Sequence, residues 1–407
     1  MTPRFASKEF TFLKPDSDDH PIQEPDTFFS DLVHTKTVSF TAFEERLASA
    51  RIPETGFVCA AIQVDGSASE ETREKARDIF EACFHSVLDK KRGLWESLGS
   101  TAFVLVFWDY DNQKKAMDLL ESLKKKISQA LSAELTVGAA WFPFHDFSCS
   151  QVFANALKAI DYAAFFGPGH MKLFDGISLN ISGDRLYHLG QYGAAIREYE
   201  QGLLLEPGNI NLMNSLGVCF GVTGELKKAR QFFTDALKIN PREIMVIYNL
   251  GLVHQILENQ DKAVFFLQKA HGIDKNVFEV ELLLGHLLFK AGKQDQALPH
   301  LETASRLNPE SGLAFRTLGE IYLDRQELEE AGAAFHAAVK HKPADGLALS
   351  GYALAMAKRQ RNLKIALTFA KKSVALEPEN TLFQERLEQV RQLTKPSRSH
   401  GRTKKFA

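Results

Sequence analysis

Residues 312–343 read GLAFRTLGEIYLDRQELEEAGAAFHAAVKHKP, and this stretch decides the fold of half the chain. Leu318, Gly319 and Tyr322 mark one helix, Ala331, Phe335 and Ala338 a second, and Pro343 stops the second. The same pattern recurs outward from it. Gly183, Gly217, Gly251, Gly285 and Gly319 step by 34 residues, as do Ala195, Ala229, Ala263, Ala297 and Ala331, with Ala366 one residue later than the step. Ala236, Ala270, Ala304 and Ala338 form a third series, and Pro207, Pro241, Pro309, Pro343 and Pro378 a fourth. A fixed period with small residues at fixed phases marks units that stack. Small side chains let two helices come close where they cross, and proline ends the second helix before the next unit begins.

This pattern resembles the tetratricopeptide repeat (TPR), a helix-turn-helix unit. Six units are expected over residues 176–379. The first is weak, with Ser182 in the leucine position and Leu186 in the aromatic one. The sixth takes one extra residue in the turn at 359–362. A helix over 380–394, with Leu382, Leu387, Val390 and Leu393 on one side, is expected to cap the stack, and 395–407 to be a basic disordered tail.

The remainder has another character. Residues 1–30 are polar, with Asp16, Asp18, Asp19, Glu24 and Asp26, and read as a flexible arm. Residues 31–175 interleave apolar strands with helices. Strands are expected at 56–64, 101–108, 135–142 and 170–174, and helices at 40–50, 70–88, 114–131 and 150–165. The chain is therefore multidomain: an N-terminal α+β domain, then an all-α superhelix.

Order and spacing in the first domain resemble the diguanylate cyclase (GGDEF) domain, which implies a nucleotide-cyclase-like sheet. The stretches that carry the likeness are FVCAAIQVD at 57–65, GSTAF at 99–103, and LTVGAAWFP followed by the Ala-rich helix and glycine turn up to 174. The resemblance also implies what is missing. Cyclases of this family hold two divalent metals on carboxylates. Their positions are taken here by Gln63, Thr101 and Ala102, and only Asp65 remains, read as a turn or helix cap. Ala164 stands where the family places a phosphate-reading base, and Lys90 and Gly93 stand at the RxxD feedback site. The expectation is a GGDEF-like domain without catalysis, with no catalytic residue, metal or cofactor.

Composition excludes other classes. A net charge of −2 over 407 residues advertises neither nucleic acid nor membrane, and no apolar run reaches the ~20 residues of a membrane helix. Cys59, Cys83, Cys149 and Cys219 lack metal spacing and read as buried thiols of a cytoplasmic protein. Trp141, Phe142, Phe144 and Phe147 read as core and edge packing, and His254 and His286 as surface or groove residues.

The first helix of each TPR unit lines the concave side. The repeat phases that face it put Asn180, Asp184, Tyr187, Asn214, Tyr248, Leu252, Gln255, Leu282, His286, Phe289 and Arg316 in the groove. Its aromatic and amide lining suits a protein or peptide partner. Arg316 stands almost alone as a cation, which argues against a carboxylate clamp. The reading is a cytoplasmic interaction scaffold whose GGDEF-like domain regulates or docks. The alternatives are a sensor that holds GTP or cyclic di-GMP without turnover, and a cyclase with unconventional ligands.

Overall fold

The computed structural model describes residues 10–14, 28–29, 43, 45–46, 49, 52, 56–65, 70–88, 92–99, 101–110 and 112–395. Most of the expected arm and of the helix at 40–50, the Lys90 position and the tail beyond 395 lie outside the described residues. The chain divides into two compact units, one of residues 14–223 and one that joins residues 1–13 to 224–407.

The first unit is built on β1 (Phe57–Val64), α1 (Glu70–Val87), β2 (Gly93–Ser97), β3 (Ala102–Trp108), α2 (Gln113–Leu131), β4 (Leu135–Phe142), α3 (Val152–Ala164) and β5 (Met171–Leu173). The strand order is β2-β3-β1-β4-β5; β1 is antiparallel to β3 and β4, and β5 is parallel to β4. This is a split βαβ arrangement with one added strand. Because successive strand residues face opposite sides, β1 feeds two cores. Val58, Ala60, Ile62 and Val64 pack with Phe80 and Phe84 of α1 and Leu120 and Leu123 of α2. Phe57, Cys59 and Ala61 pack with Val152, Ala156 and Ile160 of α3. Burial on both faces explains why β1 is an apolar run rather than an alternation. Gly138 lies where α3 crosses β4, and a Cβ there would meet the Ile160 backbone nitrogen at 1.9 Å.

β2 is the element that sequence reading leaves out. Its five residues, GLWES, are mostly half-buried, so neither an apolar run nor a clear alternation announces them. The cysteine expectation holds only in part: Cys59 and Cys219 are buried, Cys83 is half-buried and Cys149 exposed. The aromatic run packs as expected. Phe142 stacks on Phe57 at 5.1 Å, and Phe144 and Phe147 set their rings edge-on to Phe174.

The same unit continues into α4 (Gly176–His188), α5 (Tyr192–Leu205) and α6 (Ile210–Val222). Asp175 caps α4 by accepting from the Ser178 N–H at 2.9 Å.

The second unit holds α7 (Leu226–Ile239), α8 (Ile244–Ile256), α9 (Gln260–Ile273), α10 (Phe278–Lys290), α11 (Gln294–Leu307), α12 (Gly312–Asp324), α13 (Leu328–His341), α14 (Gly346–Lys358), α15 (Leu363–Leu376) and α16 (Thr381–Thr394). Two layers result. The inner helices are covered nearly all round: α8 is buried without a break from Val246 to His254. The outer helices bury narrow stripes, such as Ala263, Leu267 and Ala270 of α9, which is where the alanine series goes. The glycine series marks the helix crossings: a Cβ on Gly285 would meet Leu301 at 2.7 Å, and one on Gly319 would meet Phe335 at 2.7 Å.

The turns repeat too. Gly190, Gly224, Glu258, Gly292, Gln326 and Gln360 all have positive φ and stand 34 residues apart, so the left-handed turn persists where glycine does not. The extra residue of the sixth unit shows as a second left-handed position at Asn362. The capping helix differs from expectation in its contacts. Phe383, Leu387 and Val390 are buried, but Leu382 is 39% exposed, and Arg386 is buried in a bidentate pair with Glu320 at 2.9 and 2.5 Å.

Candidate functional site

The inner face of the second unit carries a passenger. Residues 10–13, Phe-Thr-Phe-Leu, run without helix or strand partners along α8 and α10. Asn249 of α8 holds the backbone of Leu13 from both sides, accepting its N–H at 2.7 Å and donating Nδ2 to its carbonyl at 2.6 Å. The Tyr248 hydroxyl donates to the Thr11 carbonyl at 3.1 Å. Phe10 is 8% exposed, lies 5.4 Å from the His286 ring, and joins the apolar cluster of Tyr248, Leu252 and Leu282. Phe12 stacks on Phe233 of α7 at 6.2 Å, and Thr11 faces solvent. This alternation is what an extended chain gives, with residues 10 and 12 on one side and 11 on the other. These residues of the expected arm are therefore anchored rather than loose.

The predicted groove residues sort by what they meet. Tyr248, Leu252, Leu282 and His286 surround residues 10–13 and are buried, and Phe289 is half-buried in the same cluster. Gln255 is half-buried, with its Oε1 buried and unbonded. Arg316 bonds Asp345 at 2.8 Å. In the first unit, Asn214 is buried, and Asn180 has a buried Oδ1 with no partner. Asp184 ion-pairs with Lys14, whose ammonium also donates to the Tyr199 hydroxyl at 2.7 Å and sits 4.3 Å from the Tyr187 ring centre. His254 and His286, expected as surface or groove residues, are 5% and 9% exposed. Burial holds the His286 imidazole down, to about 4, with Lys290 and Arg316 adding repulsion.

Two residue sets escaped sequence reading. Asn249 falls one phase beyond the groove position of Tyr248, and its signal in the sequence is an amide beside a groove aromatic. The other set is His271 of α9, Glu281 of α10 and His300 of α11, whose ligand atoms lie within 4.8 Å of one another. Glu281 is 1% exposed and accepts from His271 Nδ1 at 2.5 Å and His300 Nδ1 at 2.7 Å. Burial raises its pKa, but the two imidazole hydrogen bonds win and hold it below the ordinary carboxylate value. Two imidazoles and a carboxylate are a donor set that Zn²⁺ accepts. Here they satisfy one another.

At the end of β1, Gln63 donates Nε2 to the Thr101 hydroxyl and to the Val64 carbonyl, both at 3.1 Å, and its Oε1 is buried and unbonded. The two positions assigned to metal ligation are thus neighbours, bonded to each other. Ala102 is 2% exposed. Asp65 accepts from the Thr136 hydroxyl at 2.9 and 3.1 Å and from the Gly169 N–H at 3.0 Å. It ties β1 to β4 and to the turn before β5. Burial raises its pKa, and the Gly169 and Thr136 hydrogen bonds oppose that.

Comparison with known proteins bears on the helical part. Tetratricopeptide repeat family models match residues 182–244, 246–277 and 282–346. Residues 182–346 are tetratricopeptide repeats. BBSome complex member BBS4 of Bos taurus is 26% identical over 33% of this chain, and the cell division cycle protein 16 homolog of Homo sapiens 26% over 54%. This chain spans 26% and 31% of their lengths. Among solved structures, YrrB matches 46% of this chain and 96% of its own at 21% identity and a TM-score of 0.41. The APC/C hetero-tetramer Cut9–Hcn1 matches 67% and 52%, at 16% identity and 0.45. Among the described residues no helix is long and apolar enough to cross a membrane.

Proposed function

We propose that this protein is a non-catalytic scaffold whose tetratricopeptide groove binds an extended peptide of a protein partner. One observation carries the reading: the Asn249 carboxamide engages both the N–H and the C=O of one residue of an extended chain. A face that grips backbone in this way binds peptide largely through main chain and selects through side-chain pockets. A relative named as a member of the BBSome complex supports a scaffold role.

The sheet domain serves in regulation or docking, as a GGDEF-like domain without turnover. That reading is supported by Gln63 and Thr101, an amide and a hydroxyl bonded to each other at the ligand positions, and by Asp65, whose oxygens are engaged by Thr136 and Gly169. Neutral groups do not hold Mg²⁺ against water.

The test is capture from the native host with the full chain and with Tyr248→Phe/Phe289→Ala. This variant removes one hydroxyl and one half-buried ring and keeps the buried phenyl of residue 248, which a Tyr248→Ala change would empty at a cost in stability. A partner held by the parent should be lost more than tenfold in the variant, and equal capture would move recognition off the groove. In parallel, the chain with GTP and Mg²⁺ or Mn²⁺ should give no cyclic di-GMP by mass spectrometry; product above blank would overturn the non-catalytic reading.

A further inference from the structure

We propose that residues 10–13 are a tethered ligand, and that the groove of α8 and α10 recognises partners presenting the same pattern: an extended peptide with two aromatic side chains two residues apart, followed by an aliphatic one. The inference rests on the peptide-groove reading above and adds the chemistry of the occupant and the way a partner enters.

Three features separate this contact from ordinary loop packing. The hydrogen bonds from Asn249 and Tyr248 go to main-chain atoms of residues 11 and 13, so they fit an extended peptide of other sequence equally well. Selection comes from Phe10, buried against Tyr248, Leu252 and His286, and from Phe12 against Phe233. The segment itself belongs to neither helical layer: it has no helix or strand of its own, and side chains of α8 bond its backbone. An aromatic-x-aromatic-aliphatic run inside an otherwise polar stretch is a short linear motif by composition, and it is held as one.

Tethering sets the energetics. A segment on the same chain faces the groove at an effective concentration of about a millimolar. A free peptide of the same sequence therefore meets a site that is mostly filled, and its apparent affinity falls by the fraction of sites left open. A partner enters by displacing residues 10–13.

The probe is a fluorescein-labelled peptide of residues 7–16, Ser-Lys-Glu-Phe-Thr-Phe-Leu-Lys-Pro-Asp, titrated into the full chain by polarisation. The Phe10→Ala/Leu13→Pro chain loses the aromatic anchor and the N–H that Asn249 accepts, so its groove opens. It should bind the probe at least tenfold tighter than the parent does. Adding Asn249→Ala should reverse that gain by at least tenfold, and a probe with both phenylalanines replaced by alanine should not bind. If the double variant melts early by circular dichroism, Leu13→Pro alone, which keeps the Phe10 packing, takes its place. An opened chain that binds no tighter than the parent, or one indifferent to Asn249→Ala, overturns the proposal. If partner capture still depends on Phe289 while the probe fails to bind the opened chain, the scaffold reading stands and the tethered ligand falls.

Discussion

Gln63 at the end of β1 and Asn249 on α8 are both amides set against an apolar core, and they find different partners: Gln63 uses only its Nε2, whereas Asn249 uses both its oxygen and its nitrogen. Gln63 bonds to its own β-sheet domain, to Thr101 and to the next carbonyl. Asn249 bonds to a segment that is part of neither layer of its unit. The sheet domain closes on itself because its strands pair through backbone and its helices cover both faces with apolar side chains, leaving little to exchange. The repeats close only against neighbouring units, so their inner face keeps polar groups that something else must meet. A face of that kind is where a partner can be swapped for a tethered segment, whereas the end of the sheet binds its own polar side chains to one another.

The sharpest way to break this comparison is at two glycines. In the sheet domain, Gly138→Ala would place a methyl 1.9 Å from the Ile160 backbone nitrogen and 2.4 Å from the Ala156 carbonyl oxygen. A helix backbone cannot turn aside as a side chain can, so a loss of about 4 kcal/mol or more, or failure to fold, is expected. In the repeats, Gly319→Ala meets the Phe335 ring first, at 2.7 Å. A ring yields more readily than a helix backbone and alanine favours helix, but this ring is fully buried and also lies against Gly351, so the loss should be about 2–3 kcal/mol. Urea unfolding of both variants decides it. Equal losses would show that the two parts are equally rigid.

The same contrast explains what was legible in the sequence. The repeats announce themselves because Gly183, Gly251, Gly285 and Gly319 sit against a side chain of the neighbouring helix and the alanines of the step are fully buried, so geometry is written directly as side-chain size. The sheet domain shows its three buried strands, but β2 escapes because a short, half-buried edge strand carries no pattern of its own. In the groove, Tyr248, Leu252, Leu282 and His286 follow from the repeat phases that the resemblance to tetratricopeptide repeats assigns to it. Asn249 does not, and neither does its occupant, since Phe10, Phe12 and Leu13 lie in a stretch whose overall composition is polar. The His271–Glu281–His300 set joins three helices at spacings that match no local motif.

A smaller effect sharpens the idea that the inner face depends on being covered. His286 is neutral in the folded chain, its pKa held at about 4 by burial beside Phe10 and, secondarily, by Lys290 and Arg316. The unfolded chain takes up a proton near 6.5, the ordinary value. Stability from this residue is thus complete above pH 6.5 and drains away as the pH falls to about 4. The full loss is about 3 kcal/mol at roughly 1.4 kcal/mol per pH unit. His286→Gln cannot titrate, so its urea midpoint should fall less than the parent's between pH 6.5 and 4. Parallel acid profiles would mean that His286 is as well solvated folded as unfolded, and that its cover opens freely.

The smallest expected effect concerns the turns between inner and outer helices, where the backbone rather than the side chain repeats. Glu258 holds φ at +57° at a phase where Gly190, Gly224 and Gly292 supply the same conformation. A side chain in that region costs about 1–2 kcal/mol, because Cβ crowds the following carbonyl. Glu258 is exposed, so little packing is lost when it is removed. Glycine relieves the strain but gives the unfolded chain more freedom to lose, about 0.4–1 kcal/mol. Glu258→Gly should therefore raise stability by about 0.5–1 kcal/mol. Gly292→Ala, at the same phase with nothing within 4 Å of the new methyl, should lower it by about 1 kcal/mol. Because both sites hold the same left-handed φ and the two substitutions run in opposite directions, the changes should be opposite in sign. A loss in Glu258→Gly would mean that the glutamate contributes through its side chain, and that this turn is specified by a contact rather than by conformation.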